Sequence, residues 1–175
     1  MTDLILERRF DPPLTIADVH ERVRSSEWCF DLHRIDWHAS YLAADGRSMV
    51  CFFAAPDAES ARIALRTTGA DVQRLWAASV HEGFSRADPN VLIERSFEVP
   101  EKFERLKAIV DDKAWCLEQH RAEWVRSFLS TDGQRMVCLY RAPDIESVRV
   151  AQREAGLPFE RLWGFTRVEP QNMPR

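Results

Sequence analysis

The sequence lacks the short motifs that mark common nucleotide and zinc sites. Its 175 residues contain no glycine-rich phosphate-binding loop, no Cys-x-x-Cys pair and no His-x-x-x-His pair. ATP, NAD and a structural zinc ion are therefore not expected. We predict that the protein uses no nucleotide cofactor.

An excess of charge of one sign and long apolar runs are also missing. The 24 basic and 28 acidic residues are interspersed and leave a net charge of −4. This pattern gives no electrostatic footprint for nucleic acid or an anionic membrane, so neither is expected as a partner. The first residues form no secretion signal, and no apolar run approaches membrane-spanning length. We expect a cytoplasmic location.

Cysteine is scarce. The four residues of this type fall as two equivalent pairs, Cys29 with Cys51 and Cys116 with Cys138. In a cytosolic protein they are expected to be reduced. One disulfide within each pair is the less favoured alternative.

The chain does contain an internal repeat. The skeleton Trp-Cys-x-x-x-His-Arg-x-x-Trp begins at Trp28 and again at Trp115. Equivalent residues stay 87 positions apart from Glu7 and Glu94 onward, without insertion or deletion. We predict two copies of one unit, with a first repeat at 1–82, a linker at 83–90 and a second repeat at 91–170.

Each copy has the strand and helix signals of a β-α-β-β-α-β unit. Thr15 offers a cap for a first helix that is expected to end near Trp28. Asp45-Gly46 predicts a hairpin whose two turn residues take positive φ. Asp57 caps a second helix, and Gly69 is its expected end. This order is that of the ferredoxin-like fold, with both helices on one face of an antiparallel sheet.

The opposite face of each sheet carries bulky apolar side chains, which are costly to leave in water. The twin copy is the obvious cover for this face. We therefore predict an α+β protein in which two ferredoxin-like βαββαβ units pack sheet to sheet as a fused dimeric α/β barrel. Such a chain is a pseudo-dimer, and further oligomerisation stays open.

The repeated skeleton also supplies candidate metal ligands. Cys29 and His33, like Cys116 and His120, are four positions apart and share one face if the segment is helical. Thiolate and imidazole suit nickel, zinc or copper. The alternative, which the residue types favour, is a small buried cysteine beside a histidine at a helix end.

Two carboxylates in the middle of strands are candidates for a catalytic base. Glu7 and Glu94 are unfavourable within a sheet unless they are exposed, paired or functional. In a shared cavity they could act as a general base or a hard metal ligand, as could His38 as a base. The alternative is an ion pair with Arg8 or Arg95, or with an arginine of a neighbouring strand such as Arg74 or Arg161.

Six tryptophans suggest large cores or an aromatic-lined pocket, and core packing is the favoured use. The strand residues of this set are Trp37, Trp76, Trp124 and Trp163. If they line a pocket, it would suit a flat apolar ligand.

The sequence resembles a family of small bacterial ferredoxin-like proteins of unknown function. The residues that carry this resemblance form the string Glu-Arg-x-Phe…Trp-x-x-Ser-x-Leu-x-x-Asp-Gly…Met-Val-Cys…Ala-Pro-Asp-x-Glu-Ser-x-Arg…Ala-Gly-Leu-Pro-Phe-Glu-Arg-Leu-Trp. That family includes a nickel-binding, nickel-responsive protein. The resemblance covers both units and is better in the second, which keeps Gly156-Leu157-Pro158-Phe159. It implies a fused form of a dimer of single units. It also implies nickel as the metal, without assigning ligands residue by residue.

Two functional hypotheses follow. The first is a cytoplasmic protein that binds nickel or another divalent transition metal through some of Cys29, His33, Cys116 and His120, with Glu7 and Glu94 as additional ligands. The second is a cofactor-independent enzyme or small-molecule binding protein that uses the cavity between the two sheets. Its walls would be the four strand tryptophans, and its base Glu7, Glu94 or His38.

Overall fold

The computed structural model describes residues 1–170, which form eight strands and five helices. The first six elements are β1 (Thr2–Arg9), α1 (Ile16–His33), β2 (Asp36–Ala43), β3 (Ser48–Ala55), α2 (Ala58–Thr67) and β4 (Arg74–Glu82). The others are β5 (Val91–Ser96), α3 (Phe103–Asp112), α4 (Ala114–Gln119), β6 (Glu123–Ser130), β7 (Arg135–Arg141), α5 (Ile145–Glu154) and β8 (Arg161–Val168).

The chain divides into two compact units. Unit 1 comprises Met1–Ala78 and residues 166–170, and unit 2 comprises Ser79–Phe165. Both boundaries fall within strands, β4 and β8. The expected β-α-β-β-α-β order is present along the chain, with a divided first helix in the second half.

In unit 1 the central strand β1 pairs antiparallel with both β3 and β4, and β3 pairs with β2. Leu4 and Leu6 of β1 enter a core that also contains Val19 of α1 and Leu65 of α2. Because side chains alternate along a strand, Arg8 lies on the same helix-covered face as these two leucines.

Unit 2 has the same internal pairing. Its central strand β5 pairs antiparallel with β7 and β8, and β7 pairs with β6. Ile93 of β5 lies in a core with Leu106 of α3, Leu117 of α4 and Val148 of α5. Both units therefore bury one sheet face under their helices.

The first helix of each half differs from its expected form. Thr15 and Asp18 form the expected capping box, but α1 continues past Trp28 to His33 and ends at Arg34, which has φ 55°. In unit 2 the corresponding segment is interrupted at Lys113, which separates α3 from α4. None of the described helices is both long enough and apolar enough to span a membrane.

The hairpins form at the predicted Asp-Gly pairs, but the predicted turn geometry is wrong. Gly46 takes a positive φ of 70°, whereas Asp45 does not. The carboxylate of Asp45 instead accepts a hydrogen bond from the Arg47 backbone N–H at 2.9 Å. A Cβ on Gly46 would lie 2.2 Å from the Leu14 carbonyl oxygen, so the close approach of the loop before α1 also requires glycine.

Candidate functional site

The cysteine–histidine pair of unit 1 is part of the helix packing. Because α1 extends to His33, Cys29 and His33 do share one helix face. Cys29 is fully buried, and its thiol lies 3.6 Å from the Ala64 carbonyl oxygen of α2, to which it donates. The Cys29 side chain thus occupies the place of a small core residue, as in the alternative that the residue types favour.

The equivalent pair of unit 2 has different surroundings. Cys116 is fully buried and packs with Ala155 and Leu157. His120 stands at the end of α4, and its Nε2 lies 3.0 Å from Oε2 of Glu154 on α5. Burial raises the pKa of the Cys116 thiol, and the Glu154 carboxylate raises it further. Cys116 is therefore held as the neutral thiol at neutral pH.

The predicted histidine ligand of unit 2, His120, is paired with Glu154, a residue outside the predicted ligand set. Within residues 1–170 the structure brings no three His, Cys, Asp or Glu side chains close enough to hold a metal ion. The His120–Glu154 contact is a pair. The position equivalent to Glu154 in unit 1 is Thr67, whose hydroxyl donates to the Ile63 carbonyl oxygen at 2.8 Å.

Glu7 and Glu94 each form an ion pair with a neighbouring strand, which is one of the two alternatives that the sequence left open. Glu7 Oε2 lies 3.1 Å from Arg74 Nη1, and its Oε1 accepts a hydrogen bond from the Trp76 indole at 2.8 Å. In unit 2, Glu94 Oε2 lies 3.2 Å from Arg161 Nη1. These contacts hold both carboxylates as hydrogen-bond acceptors for cationic and indole partners.

The two strand tryptophans of each unit lie on opposite faces of its sheet, so they do not line one pocket together. Trp37 belongs to the core under the helices of unit 1, and its indole donates to Ser40 Oγ at 3.1 Å. Trp76 lies beside Glu7 on the other face. Trp124 and Trp163 repeat the arrangement: one is in the core of unit 2, and the other is bonded to its glutamate.

The two histidines near the sheets are held by neighbouring side chains. His38 packs on the Phe52 ring at 4.6 Å between centroids and lies 4.0 Å from the Asp36 carboxylate. In unit 2, His81 stacks on Phe103 at 3.5 Å, and burial lowers the pKa of its imidazole.

The structure also points to Arg8, which the sequence suggested only as an ion-pair partner for Glu7. Arg8 is only 9% exposed, and its Nε has no hydrogen-bond partner within residues 1–170. Its guanidinium carbon lies 4.9 Å from the centroid of the Phe10 ring, and that of Arg22 lies 5.8 Å from the same ring. Burial lowers the pKa of Arg8, and the positive charge of Arg22 acts in the same direction, whereas Cys51 and the Asp71 carboxylate oppose the shift.

Arg8 lines a cavity of about 70 Å³ between the sheet and the helices of unit 1. The side chains around it are mostly apolar, with polar groups contributed by α1 and β2. The lining residues include Arg22, Ser26, Phe30, Ser40 and Phe53. An arginine at an inward-facing strand position, after Leu4 and Leu6, was the available sequence signal.

The comparisons with known proteins give a family match for part of the chain and a fold for nearly all of it. Residues 92–164 match the family described as Nickel responsive protein SCO4226-like. The matched segment lies in unit 2 and covers less than half of the chain, and it agrees with the resemblance seen in the sequence. No curated protein gives a significant match.

Two solved structures show the likeness in fold. "Putative Chlorite dismutase TA0507" is 13% identical, with 96% of this chain and 94% of that chain covered and a TM-score of 0.55. A mutant chlorite dismutase from Candidatus Nitrospira defluvii in complex with cyanide is 11% identical, with 94% and 89% covered and a TM-score of 0.52. At these identities the likeness establishes a mixed α/β fold similar to that of chlorite dismutases, and nothing about activity.

Proposed function

We propose that the protein binds a divalent transition metal, nickel first, and that His120 and Glu154 of unit 2 are its ligands. The observation that carries this proposal is the contact between an imidazole and a carboxylate inside the segment that matches a nickel-responsive family. Both groups are partly exposed, at 22% and 39% of their side chains, so a metal ion from solvent can reach them.

The separation of the two groups fits this role. Two ligand atoms about 2.1 Å from one metal and about 90° apart are separated by roughly 3.0 Å. His120 Nε2 and Glu154 Oε2 are 3.0 Å apart. Imidazole nitrogen and carboxylate oxygen are both suitable ligands for nickel. Water or a further donor would complete the coordination.

The other predicted ligands fit less well. Cys116 is fully buried against Ala155 and Leu157, so its sulfur is less accessible to a metal ion from solvent than His120 and Glu154 are. In unit 1, Thr67 stands where a carboxylate would be needed beside His33. We therefore expect one metal site per chain, in unit 2.

A nickel titration of the tag-free protein by isothermal calorimetry tests the proposal. We expect one Ni²⁺ per chain, and at least tenfold weaker binding in His120→Ala and in Glu154→Gln. His33→Ala is the matched control and should bind as the wild type does. An absence of binding, or binding that both unit 2 variants retain, would exclude this site.

The proposal also includes the sequence predictions about duplication, overall architecture and location. We infer that the two units arose by duplication of one ferredoxin-like unit, and that the chain corresponds to a fused dimeric α/β barrel acting in the cytoplasm. The identical spacing of equivalent residues supports the duplication. The enzyme hypothesis is less well supported, because Glu7 and Glu94 are both engaged with arginines.

A further inference from the structure

The cavity of unit 1 contains a buried positive charge that forms no ion pair within residues 1–170, although the Asp71 carboxylate attracts it from a greater distance. Arg8 is 9% exposed, its Nε is unpartnered, and no ion pair to its guanidinium is formed within residues 1–170. A buried charge without a partner is strongly unfavourable. Its retention beside an open space of about 70 Å³ calls for an explanation.

Unit 2 shows how the same position is satisfied. Its equivalent arginine, Arg95, donates from Nη2 to Gln152 Oε1 and from Nη1 to the Pro158 carbonyl oxygen, each at 2.5 Å. Tyr140 is hydrogen bonded to the same arginine and glutamine. The corresponding cavity measures only about 20 Å³.

The difference comes from two changes of side chain. Leu65 of unit 1 stands where unit 2 has Gln152, and Phe53 stands where it has Tyr140. Neither Leu65 nor Phe53 has a side-chain polar group that could bond to Arg8. The space beside Arg8 is also larger than the space beside Arg95. Unit 1 therefore combines an apolar wall with a guanidinium that forms no hydrogen bond to the described part of the chain.

The surroundings of Arg8 favour an anion. Arg22 brings a second guanidinium to the same Phe10 ring, so two positive charges lie at the cavity, whereas the carboxylate that attracts Arg8, Asp71, does not line it. The serine hydroxyls nearby are already engaged: Ser26 donates to the Arg22 carbonyl oxygen at 2.7 Å, and Ser40 lies 3.1 Å from Cys51 Sγ. The guanidinium of Arg8 is therefore a group in this lining whose hydrogen-bond donors are available to a ligand.

We propose that this cavity binds a small carboxylate that carries an apolar group. The carboxylate pairs with Arg8, whose planar fork matches two carboxylate oxygens. The apolar group lies against Phe30 and Phe53. A single negative charge is favoured over phosphate because the rest of the lining is mostly apolar and offers few further donors. This site is separate from the metal site and does not depend on it.

The test is a titration of the full chain with propionate in carboxylate-free buffer, followed by NMR of the Arg8 Nε–H and Trp37 indole N–H signals. Propionamide, which has the same shape without the charge, and inorganic phosphate are the comparison probes. We expect saturable shifts with propionate and none with propionamide. Equal response to the amide, binding of phosphate alone, or no response to propionate would overturn the proposal.

Two variants locate the site. Arg8→Met should weaken propionate binding at least tenfold, whereas Arg95→Met, at the equivalent position of unit 2, should not. Leu65→Gln keeps Arg8 but supplies the acceptor found in unit 2, and it should also weaken binding at least tenfold. Wild-type affinity in both Arg8→Met and Leu65→Gln would contradict the assignment, even if Arg95→Met fails to fold.

Discussion

Arg8 and Arg95 occupy equivalent positions on the central strands of their units, yet within residues 1–170 only the guanidinium of Arg95 has hydrogen-bond acceptors. Both side chains are at least nine-tenths buried. The acceptors come from the helix and loop that follow the third strand, where Gln152 corresponds to Leu65. The arginine at this repeat position is therefore hydrogen bonded to its own unit in unit 2, whereas in unit 1 it forms no hydrogen bond within residues 1–170.

This difference predicts opposite effects of the same substitution on stability. Arg95→Met should lower the free energy of unfolding by about 1–3 kcal/mol, because it leaves the buried Gln152 oxygen without its donor. Arg8→Met should leave the free energy unchanged or raise it, since it removes an unpaired buried charge. Urea unfolding of both variants measures the effect. Equal destabilisation by the two would contradict the contrast.

A second prediction concerns the hairpin glycine. Gly46 and Gly69 both have positive φ, so alanine at either position carries the conformational cost of a left-handed backbone, about 1 kcal/mol or more. A Cβ at Gly46 would also collide with the Leu14 carbonyl oxygen, whereas a Cβ at Gly69 would meet no atom within 4 Å. Thermal unfolding should therefore show a larger loss for Gly46→Ala. A loss no greater than that of Gly69→Ala would show that the loop can move away.

A third prediction is a pH dependence in unit 2. Burial against Phe103 lowers the pKa of His81 from its ordinary value of 6.5, and Glu104 opposes the shift only in part. The unfolded chain then binds the proton more readily than the folded chain. Stability from this residue is present above about pH 6.5 and is lost as the pH falls through that value and toward the folded pKa.

The measurement is urea unfolding of the wild type and of His81→Asn between pH 7.5 and pH 5.5. The wild type should lose more stability over this interval than the variant does. NMR titration of the His81 ring should also give a midpoint below that of an unstructured peptide. A midpoint at or above the peptide value would refute the prediction.

Much of the local structure could be predicted from short-range signals. The capping box at Thr15, the second helices after Asp57 and Asp144 and the Asp-Gly hairpins are all present, because each depends on residues within a few positions. The end of α1 could not be placed, because the Trp28 segment continues as helix through Cys29, which packs against α2. That contact joins residues far apart in sequence.

The candidate sites were less predictable for the same reason. The repeat drew attention to residues that both units share, such as Cys29 and Cys116, and these are buried packing residues. The side chains that could bind a metal ion or a ligand lie at positions where the two units have different residues. Glu154 beside His120 is Thr67 in unit 1, and Leu65 near Arg8 is Gln152 in unit 2, so residues shared by the two repeats do not reveal either feature.

The most direct test of the account is a nickel titration followed by two-dimensional NMR of the isotope-labelled full chain. Paramagnetic Ni²⁺ broadens the signals of nuclei close to where it binds. We expect the signals around His120 and Glu154 to broaden first and to do so at one equivalent, while those around His33 and Thr67 stay sharp. Broadening centred on His33, or uniform broadening of both halves, would contradict a metal site formed by the His120–Glu154 pair.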